Sequence, residues 1–311
     1  MKIAILGMGV MGRGWITQFA MYGHTVHCHD VDKKTRETTV DYCARLSEKS
    51  ARRLKIDDPE IAAKTRQNIV VHDDRSQFVD AAKGCDIFFE IIVEDLNLKC
   101  RVLGEIVPQL PERVVFWSNT SSLDIDVLAR AAGRPQRSIV SHGMNPVPMM
   151  KGVEIVPGRE TSPETVDMTR KLLLDMDKVP FAAPNIPGFW VNRLLIPQML
   201  DAIRLLEIDQ VSVKDGDDGL FTCLGHPQGT FKLCDFISTP TMLRVSLEMF
   251  ESSNDPRLYP PRMLARMVKN GEYGAATGKG FYDWSDPKNP VARSMDEYKI
   301  ATVEQLLETT K

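Results

Sequence analysis

Short apolar runs alternating with amphipathic stretches organise this chain. Lys2-Ile3-Ala4-Ile5-Leu6, Thr25 to His29, Ile69-Val70-Val71, Asp86 to Ile92, Arg113 to Trp117 and Ser138-Ile139-Val140 read as short buried strands, with helical patterns between them. That alternation predicts an α/β fold with a doubly wound sheet, whose ligands gather at the C-terminal strand ends. Between Lys33 and Asn68 the crossover is longer and more helical than a simple connection needs, with a break at Asp57-Asp58-Pro59, so a helical projection is expected there. A strand-like run at Val153 to Val156, an amphipathic helix from Pro163 to Met176, a strand from Lys178 to Ala182 and a turn at Asn185-Ile186-Pro187-Gly188 follow. From Phe189 to about Glu207 the pattern is a long apolar helix, and helical segments dominate afterwards. The expected boundary falls near Pro184, giving a sheet domain over residues 1–184 and an all-α domain over residues 185–311. Beyond Trp284 the tail is polar, with one helix expected from Ser294 to Thr309.

Composition narrows the function classes. The 311 residues are 43% hydrophobic, enough for a sizeable core and better suited to two domains than to one. A net charge of -3 leaves no electrostatic footprint for nucleic acid or an anionic membrane, so neither is an expected partner. Six scattered cysteines with no C-x-x-C pair argue against a disulfide framework or a zinc site and for a reducing compartment. With a strand beginning at Lys2 and no apolar run of spanning length, the expectation is a cytoplasmic protein without a signal peptide or membrane segment. His27 and His29 would share a face of their strand, but no third ligand has suitable spacing, and no metal is expected.

Gly7-Met8-Gly9-Val10-Met11-Gly12 follows the first strand without a spacer and opens a helix that runs to about Tyr22. Gly7 permits the tight turn, Gly9 lets a pyrophosphate approach the backbone, and Gly12 allows close helix packing. The helix N-terminus, with Val10 and Met11, then faces the phosphates. Asp30 ends the second strand at the spacing of an acid that binds the adenosine ribose and repels a 2′-phosphate. A Rossmann-type domain that binds NAD rather than NADP is the resulting expectation, with Lys33 and Lys34 close enough to weaken that preference.

Candidate chemistry lies at the other strand ends. Glu94 and Lys99 fall beyond one, and Ser118-Asn119-Thr120-Ser121-Ser122 beyond the next, where Ser121 could donate to a substrate oxygen or the cluster could cap the helix near Asp124 to Arg130. His142 should emerge where the strand Ser138-Ile139-Val140 ends, after which two prolines force an extended crossing to the run that holds Glu154. A carboxylate on the neighbouring strand would fix the imidazole tautomer and stabilise the imidazolium, the make-up of a general base. Arg45, Lys49, Arg52, Arg53 and Lys55 on the helical projection read either as a solvated face or as a docking patch for a phosphorylated substrate. An apolar helical second domain would bury its stripe against a copy of itself, giving a homodimer.

From Lys2 to about Trp284 these residues resemble the L-3-hydroxyacyl-CoA dehydrogenases, including bacterial 3-hydroxybutyryl-CoA dehydrogenases. The matching pieces are Gly7 to Gly12, Val93-Glu94 with Lys99, Ser118 to Ser122, His142 with Asn145-Pro146-Val147-Pro148, Met150-Lys151 with Val153-Glu154, Pro187-Gly188-Phe189 with Asn192-Arg193, and Gly278 with Gly280-Phe281-Tyr282. The resemblance implies NAD-dependent oxidation of a 3-hydroxyacyl-CoA in fatty acid metabolism. It implies His142 and Glu154 as the catalytic pair, Ser121 and Asn192 holding the substrate oxygen, and Asn119, Ser121, Asn145, Glu94 and Lys99 contacting the cofactor. Arg52 and Arg53 stand where a family lysine meets CoA. The chain departs from the family at His142-Gly143-Met144-Asn145-Pro146, where His-Phe-Phe-Asn-Pro is usual, so an aromatic wall near the site is missing. It departs again at Ala276, in place of a lysine that contacts NAD, with Lys279 a poor positional substitute, and at Leu46, in place of a serine that meets CoA. The alternatives are a dehydrogenase of a free hydroxy acid of the carnitine or sugar-acid type, and a non-catalytic relative of the lens-crystallin kind.

Overall fold

The computed structural model describes residues 1–300 and divides into two compact units, Met1–Phe189 and Trp190–Lys311, of which the second is described as far as Ile300. The first unit contains β1 (Lys2–Leu6), α1 (Val10–Met21), β2 (Thr25–His29), α2 (Lys33–Leu54), α3 (Ile61–Gln67), β3 (Ile69–Val71), α4 (Arg75–Ala82) and β4 (Ile87–Glu90). It continues with α5 (Leu96–Ile106), β5 (Val115–Ser118), α6 (Ile125–Ala131), β6 (Ser138–Gly143), β7 (Gly152–Pro157), α7 (Pro163–Asp175) and β8 (Val179–Ala182). The eight strands form one sheet in the order β3-β2-β1-β4-β5-β6-β7-β8. Its two faces carry separate cores, one around Trp15, Phe19, Phe89 and Trp117, the other around Phe78, Phe88, Phe116 and Phe189.

The order reverses beside β1, which opens a crevice at the strand C-termini next to the glycine-rich turn. The sheet is parallel except at β6 and β7, which pair antiparallel. The connection between them is too short for a crossover helix, so the chain can only turn back on itself. That connection is a turn rather than an extended crossing: the amides of Met149 and Met150 both donate to the Pro146 carbonyl, after a cis Asn145–Pro146 peptide. The helical excursion is two helices. Asp32 caps α2 by accepting from the Thr35 amide, and Lys55 ends it in a left-handed conformation at φ 58°.

The second unit holds α8 (Val191–Glu207), α9 (Val213–Leu224), α10 (Thr230–Ile237), α11 (Thr239–Ser253) and α12 (Arg262–Lys269) around a core that includes Met199, Ile203, Phe231, Met249, Met263 and Phe281. The all-α expectation needs one correction, since β9 (Tyr282–Asp283) and β10 (Val291–Ala292) form a small antiparallel pair. Buried Asp235 explains it by accepting from the Phe281 and Tyr282 amides and from Trp284 Nε1, at 2.8 to 2.9 Å. Gly280 is obligatory there, because a Cβ would lie 2.0 Å from Asp235 Oδ1. Of the helix expected over Ser294 to Thr309, the described part is a single 3-10 turn, Asp296–Tyr298, and residues 301–309 lie outside the described range.

Candidate active site

The glycine-rich turn is shaped as a dinucleotide requires. Gly7 sits at φ +99°, where a Cβ would strike the Ile91 carbonyl at 2.4 Å, and a Cβ on Gly12 would lie 2.0 Å from the Gly7 oxygen. At Gly9 a Cβ would meet no protein atom within 4 Å, so internal packing does not demand that glycine and the backbone there is open to an approaching ligand. Gly9 is also the N-cap of α1 and provides no side-chain cap, which leaves the amides of the first turn, Val10 and Met11 among them, to an anion. Asp30 anchors the turn, accepting from the Met8 amide at 2.6 Å and the Asp32 amide at 2.9 Å. These residues fit a bound NAD. His27 and His29 both reach His72: His27 Nδ1 lies 3.0 Å from His72 Nε2, and His29 Nδ1 bonds the His72 carbonyl. No metal-binding group of three ligands occurs among the described residues.

The antiparallel register of β6 and β7 sets His142 directly across from Glu154. Nδ1 of His142 lies 2.7 Å from Glu154 Oε2, and both side chains are buried. An ionised carboxylate on Nδ1 places the proton there and leaves Nε2 as the nitrogen with a free lone pair. The ring is steadied from a second side by Phe189, whose centroid lies 5.6 Å away in an edge-on arrangement. Phe189 holds a left-handed backbone at φ 46°, a strain that its complete burial offsets.

A buried polar network joins the two loops beside this pair. Glu90, at the end of β4, accepts from Lys99 Nζ at 2.5 Å, the Ile92 amide at 2.8 Å and Ser118 Oγ at 2.8 Å. Glu94 accepts from Thr120 Oγ at 2.5 Å, the Ser121 amide at 3.0 Å and Ser122 Oγ at 3.3 Å, with Lys99 Nζ 3.2 Å away. Burial pushes the Glu94 carboxyl up, but the Lys99 ammonium and these donors outweigh it and hold it below the usual glutamate range. Lys99 is 1% exposed and its ammonium is spent on Glu90, Glu94 and the Ile92 carbonyl. One expectation changes here. The Ser118 to Ser122 cluster does not cap α6, because Asp124 does so through the Asp126 amide.

Residues 2–186 match the model of the 3-hydroxyacyl-CoA dehydrogenase NAD binding domain, and residues 188–284 match that of the 3-hydroxyacyl-CoA dehydrogenase C-terminal domain. The chain belongs to the 3-hydroxyacyl-CoA dehydrogenase family. It is 33% identical to 3-hydroxybutyryl-CoA dehydrogenase of Clostridioides difficile, over 92% of this chain and 100% of that one. It is 32% identical to the human mitochondrial hydroxyacyl-coenzyme A dehydrogenase, over 91% of this chain and 90% of that one. Among solved structures, (S)-3-hydroxybutyryl-CoA dehydrogenase PaaH1 from Ralstonia eutropha superposes with a TM-score of 0.83 at 31% identity, covering 92% of this chain and 99% of that one. FadB2 of M. tuberculosis gives 0.85 at 27% identity, covering 91% and 98%. This 3-hydroxyacyl-CoA dehydrogenase family member is an NAD-dependent oxidoreductase.

The other residues singled out by the sequence are spread along this dehydrogenase. Asn119 and Ser121 sit just past β5; the Ser121 hydroxyl is half-exposed and makes no bond among the described residues. Asn145 is exposed in the turn after His142. Arg52 and Arg53 lie exposed at the end of α2, Arg52 3.6 Å from Glu48, and Arg53 in no ion pair among the described residues. Asn192 belongs to the second unit, in the first turn of α8. Lys279, also in the second unit, pairs with Glu272 at 2.7 Å, and Ala276 occupies a short 3-10 turn.

Sequence reasoning did not single out Glu90 or Lys178. Glu90 left a signal, a carboxylate at the end of the apolar run Ile87-Phe88-Phe89. Lys178 is 4% exposed and donates to the carbonyls of Val147 and Met150, at 2.5 and 2.9 Å, bracing the turn after His142. Burial lowers its pKa to about 8, against the opposing pull of Asp177. Between that value and the ordinary lysine range the unfolded chain holds a proton that the folded chain has released, so folding stability rises with pH through this window. Lys178→Met removes that gain. The stability difference between parent and variant is therefore expected to widen by roughly 3 kcal/mol from pH 7 to pH 10.5 in urea titrations, and a constant difference would refute the assignment.

Proposed function

We propose that His142 is the general base of a 3-hydroxyacyl-CoA dehydrogenase and that Glu154 orients it. The register that sets the two side chains opposite one another, with the imidazole Nδ1 2.7 Å from the carboxylate, carries this reading. His142 Nε2 takes the proton of the C3 hydroxyl while C3 gives up hydride, and the imidazolium that results is stabilised by Glu154. Bound NAD supplies the hydride acceptor. In the reverse direction His142 returns the proton to the carbonyl oxygen. Ser121 provides a hydroxyl donor to that oxygen, and the same role for Asn192 rests on the family motif. Lys99 acts by positioning, holding the Glu90 and Glu94 carboxylates that in turn bond Ser118 and the loop after β5.

The deciding experiment is NADH oxidation with acetoacetyl-CoA beside free acetoacetate. Turnover confined to the thioester supports the reading. Equal turnover of both favours the free hydroxy acid class, and turnover of neither overturns the proposal.

The CoA handle is assigned to the exposed basic face of α2, where Arg45, Lys49, Arg52 and Arg53 follow helical spacing. Arg52→Ala with Arg53→Ala is expected to raise KM for acetoacetyl-CoA roughly fivefold and to flatten its dependence on ionic strength, while kcat falls less. A truncated thioester lacking the adenosine phosphates should not respond. If acetoacetyl-CoA kinetics ignore both substitution and salt, this face binds no phosphate.

Homodimerisation and a cytoplasmic location belong to the same proposal. Leu194, Phe221, Leu224 and Phe236 are exposed on the second unit, an apolar surface suited to a second copy. Sedimentation is expected to give twice the chain mass, halved by Phe221→Asp with Leu224→Asp. All six cysteines are free thiols, which fits a reducing compartment, and no described helix is long and apolar enough to cross a membrane.

A further inference from the structure

His142 and its neighbour Gly143 alternate along β6 and so look to opposite faces of the sheet. On the face away from the imidazole, Gly143 meets Trp15, in the second turn of α1. A Cβ at residue 143 would lie 2.8 Å from a ring carbon of that indole, so any side chain there collides with it. Trp15 is fully buried, stacked on Phe19 at 5.6 Å and edge-on to Phe89 at 5.3 Å, which leaves it no room to retreat. The glycine and the tryptophan are thus one structural feature shared between a helix and a strand. The aromatic ring expected to be missing beside His142 is replaced, on this face, from the glycine-rich helix.

Trp15 has a second contact, and it is polar. Its Nε1 donates to Asn119 Oδ1 at 2.7 Å, and the Gly143 amide donates to the same oxygen at 3.3 Å. Both groups facing this end of the Asn119 amide are donors, so the oxygen must point toward them, and a flipped amide would set N–H against N–H. The two hydrogens of Nδ2 are then turned the other way, and no acceptor among the described residues takes them. The Asn119 backbone is held too, its amide donating to the Glu90 carbonyl at 3.1 Å. The result is an oriented pair of unspent donors just past the C-terminal end of β5, the edge at which such sheets bind their ligands.

We propose that Trp15 is a positioning residue that locks the Asn119 amide so that Nδ2 donates to an oxygen of the nicotinamide-ribose half of the cofactor. This rests on the NAD-binding reading of the first unit but on neither the substrate nor the acid-base assignment. Its test is NADH binding by the complete protein, measured by titration of nucleotide fluorescence without turnover. Trp15→Phe keeps an aromatic ring and loses the N–H, and is expected to weaken NADH binding about tenfold, the worth of one well-placed hydrogen bond. Asn119→Ala should weaken it by a similar factor, and the double variant should be no weaker than Asn119→Ala alone. A tryptophan that only filled core would give effects that multiply, and multiplication would overturn the proposal. Gly143→Ala, which forces the indole aside, provides an independent arm: it should weaken binding comparably, and Trp15→Val in that background should relieve the collision without restoring the affinity. Unaltered NADH affinity in Trp15→Phe and Gly143→Ala would also overturn it. If the parent binds NADH but turns over no thioester, the substrate reading fails and this one stands.

Discussion

His142→Gln is expected to lower kcat by roughly two to four orders of magnitude, the usual worth of a positioned acid-base group, with NADH affinity almost unchanged. Glutamine can donate or accept a hydrogen bond but cannot carry the proton that leaves the C3 hydroxyl. The residual rate is what substrate and cofactor alignment supply alone. Glu154→Gln separates base from orienter: it keeps a hydrogen-bond acceptor near Nδ1 but removes the negative charge that stabilises the imidazolium, so a smaller loss in kcat is expected. Single-turnover rates at saturating acetoacetyl-CoA and NADH measure both. Near-normal turnover in His142→Gln would remove the proposed base.

Lys99→Met has the largest expected effect on stability. It leaves the carboxylates of Glu90 and Glu94 without the ammonium that lies 2.5 and 3.2 Å from them, and removing one partner of a buried ion pair costs roughly 3–5 kcal/mol. The pH dependence gives the test its sign. Glu94 is held below its ordinary range in the folded chain, so its contribution is present above the pKa of an unfolded glutamate and is lost as pH falls through the folded value. Lys99 provides much of that depression, so the gap between parent and Lys99→Met is expected to be full near neutral pH and to narrow on acidification. Urea titrations at neutral and acid pH measure it, and a gap that widens on acidification would contradict the network. Glu90→Gln combined with Lys99→Met should cost less than the two single losses together, since the pair is then removed rather than broken.

The sheet domain was legible wherever the signal was local. Gly7 and Gly12 announce a turn because a left-handed φ and a close backbone contact each forbid a side chain, while Gly9 between them leaves the backbone open, and all three requirements are met within a few residues of each other. The strands β1, β2 and β3 have the bounds that their apolar runs suggest, and α2 ends at Leu54, just before the Asp57-Asp58-Pro59 break. His142 and Glu154 could be paired on paper because only a short connection separates their strands, and the same shortness dictates the antiparallel hairpin, although the turn that makes it reads in the sequence as an extended crossing.

Contacts between distant segments were another matter. Glu90 reads as a carboxylate at a strand end, yet besides the nearby Ile92 amide its donors come from β5 and α5, and their meeting depends on sheet order and helix placement. Lys99 reads as a cation just beyond a strand end, and that the fold encloses it between Glu90 and Glu94 is not visible in the sequence. Gly143 looked like the loss of an aromatic wall, and only the packing of α1 against the end of β6 shows Trp15 in that place, with its N–H on Asn119. Backbone conformation and hydrophobic period are set by near neighbours, so the sequence by itself determined the elements, the glycine-rich turn and the family. Which charged group is enclosed, and which side chain a glycine makes room for, is decided by close packing between segments far apart in the chain, and that the tertiary structure alone supplies.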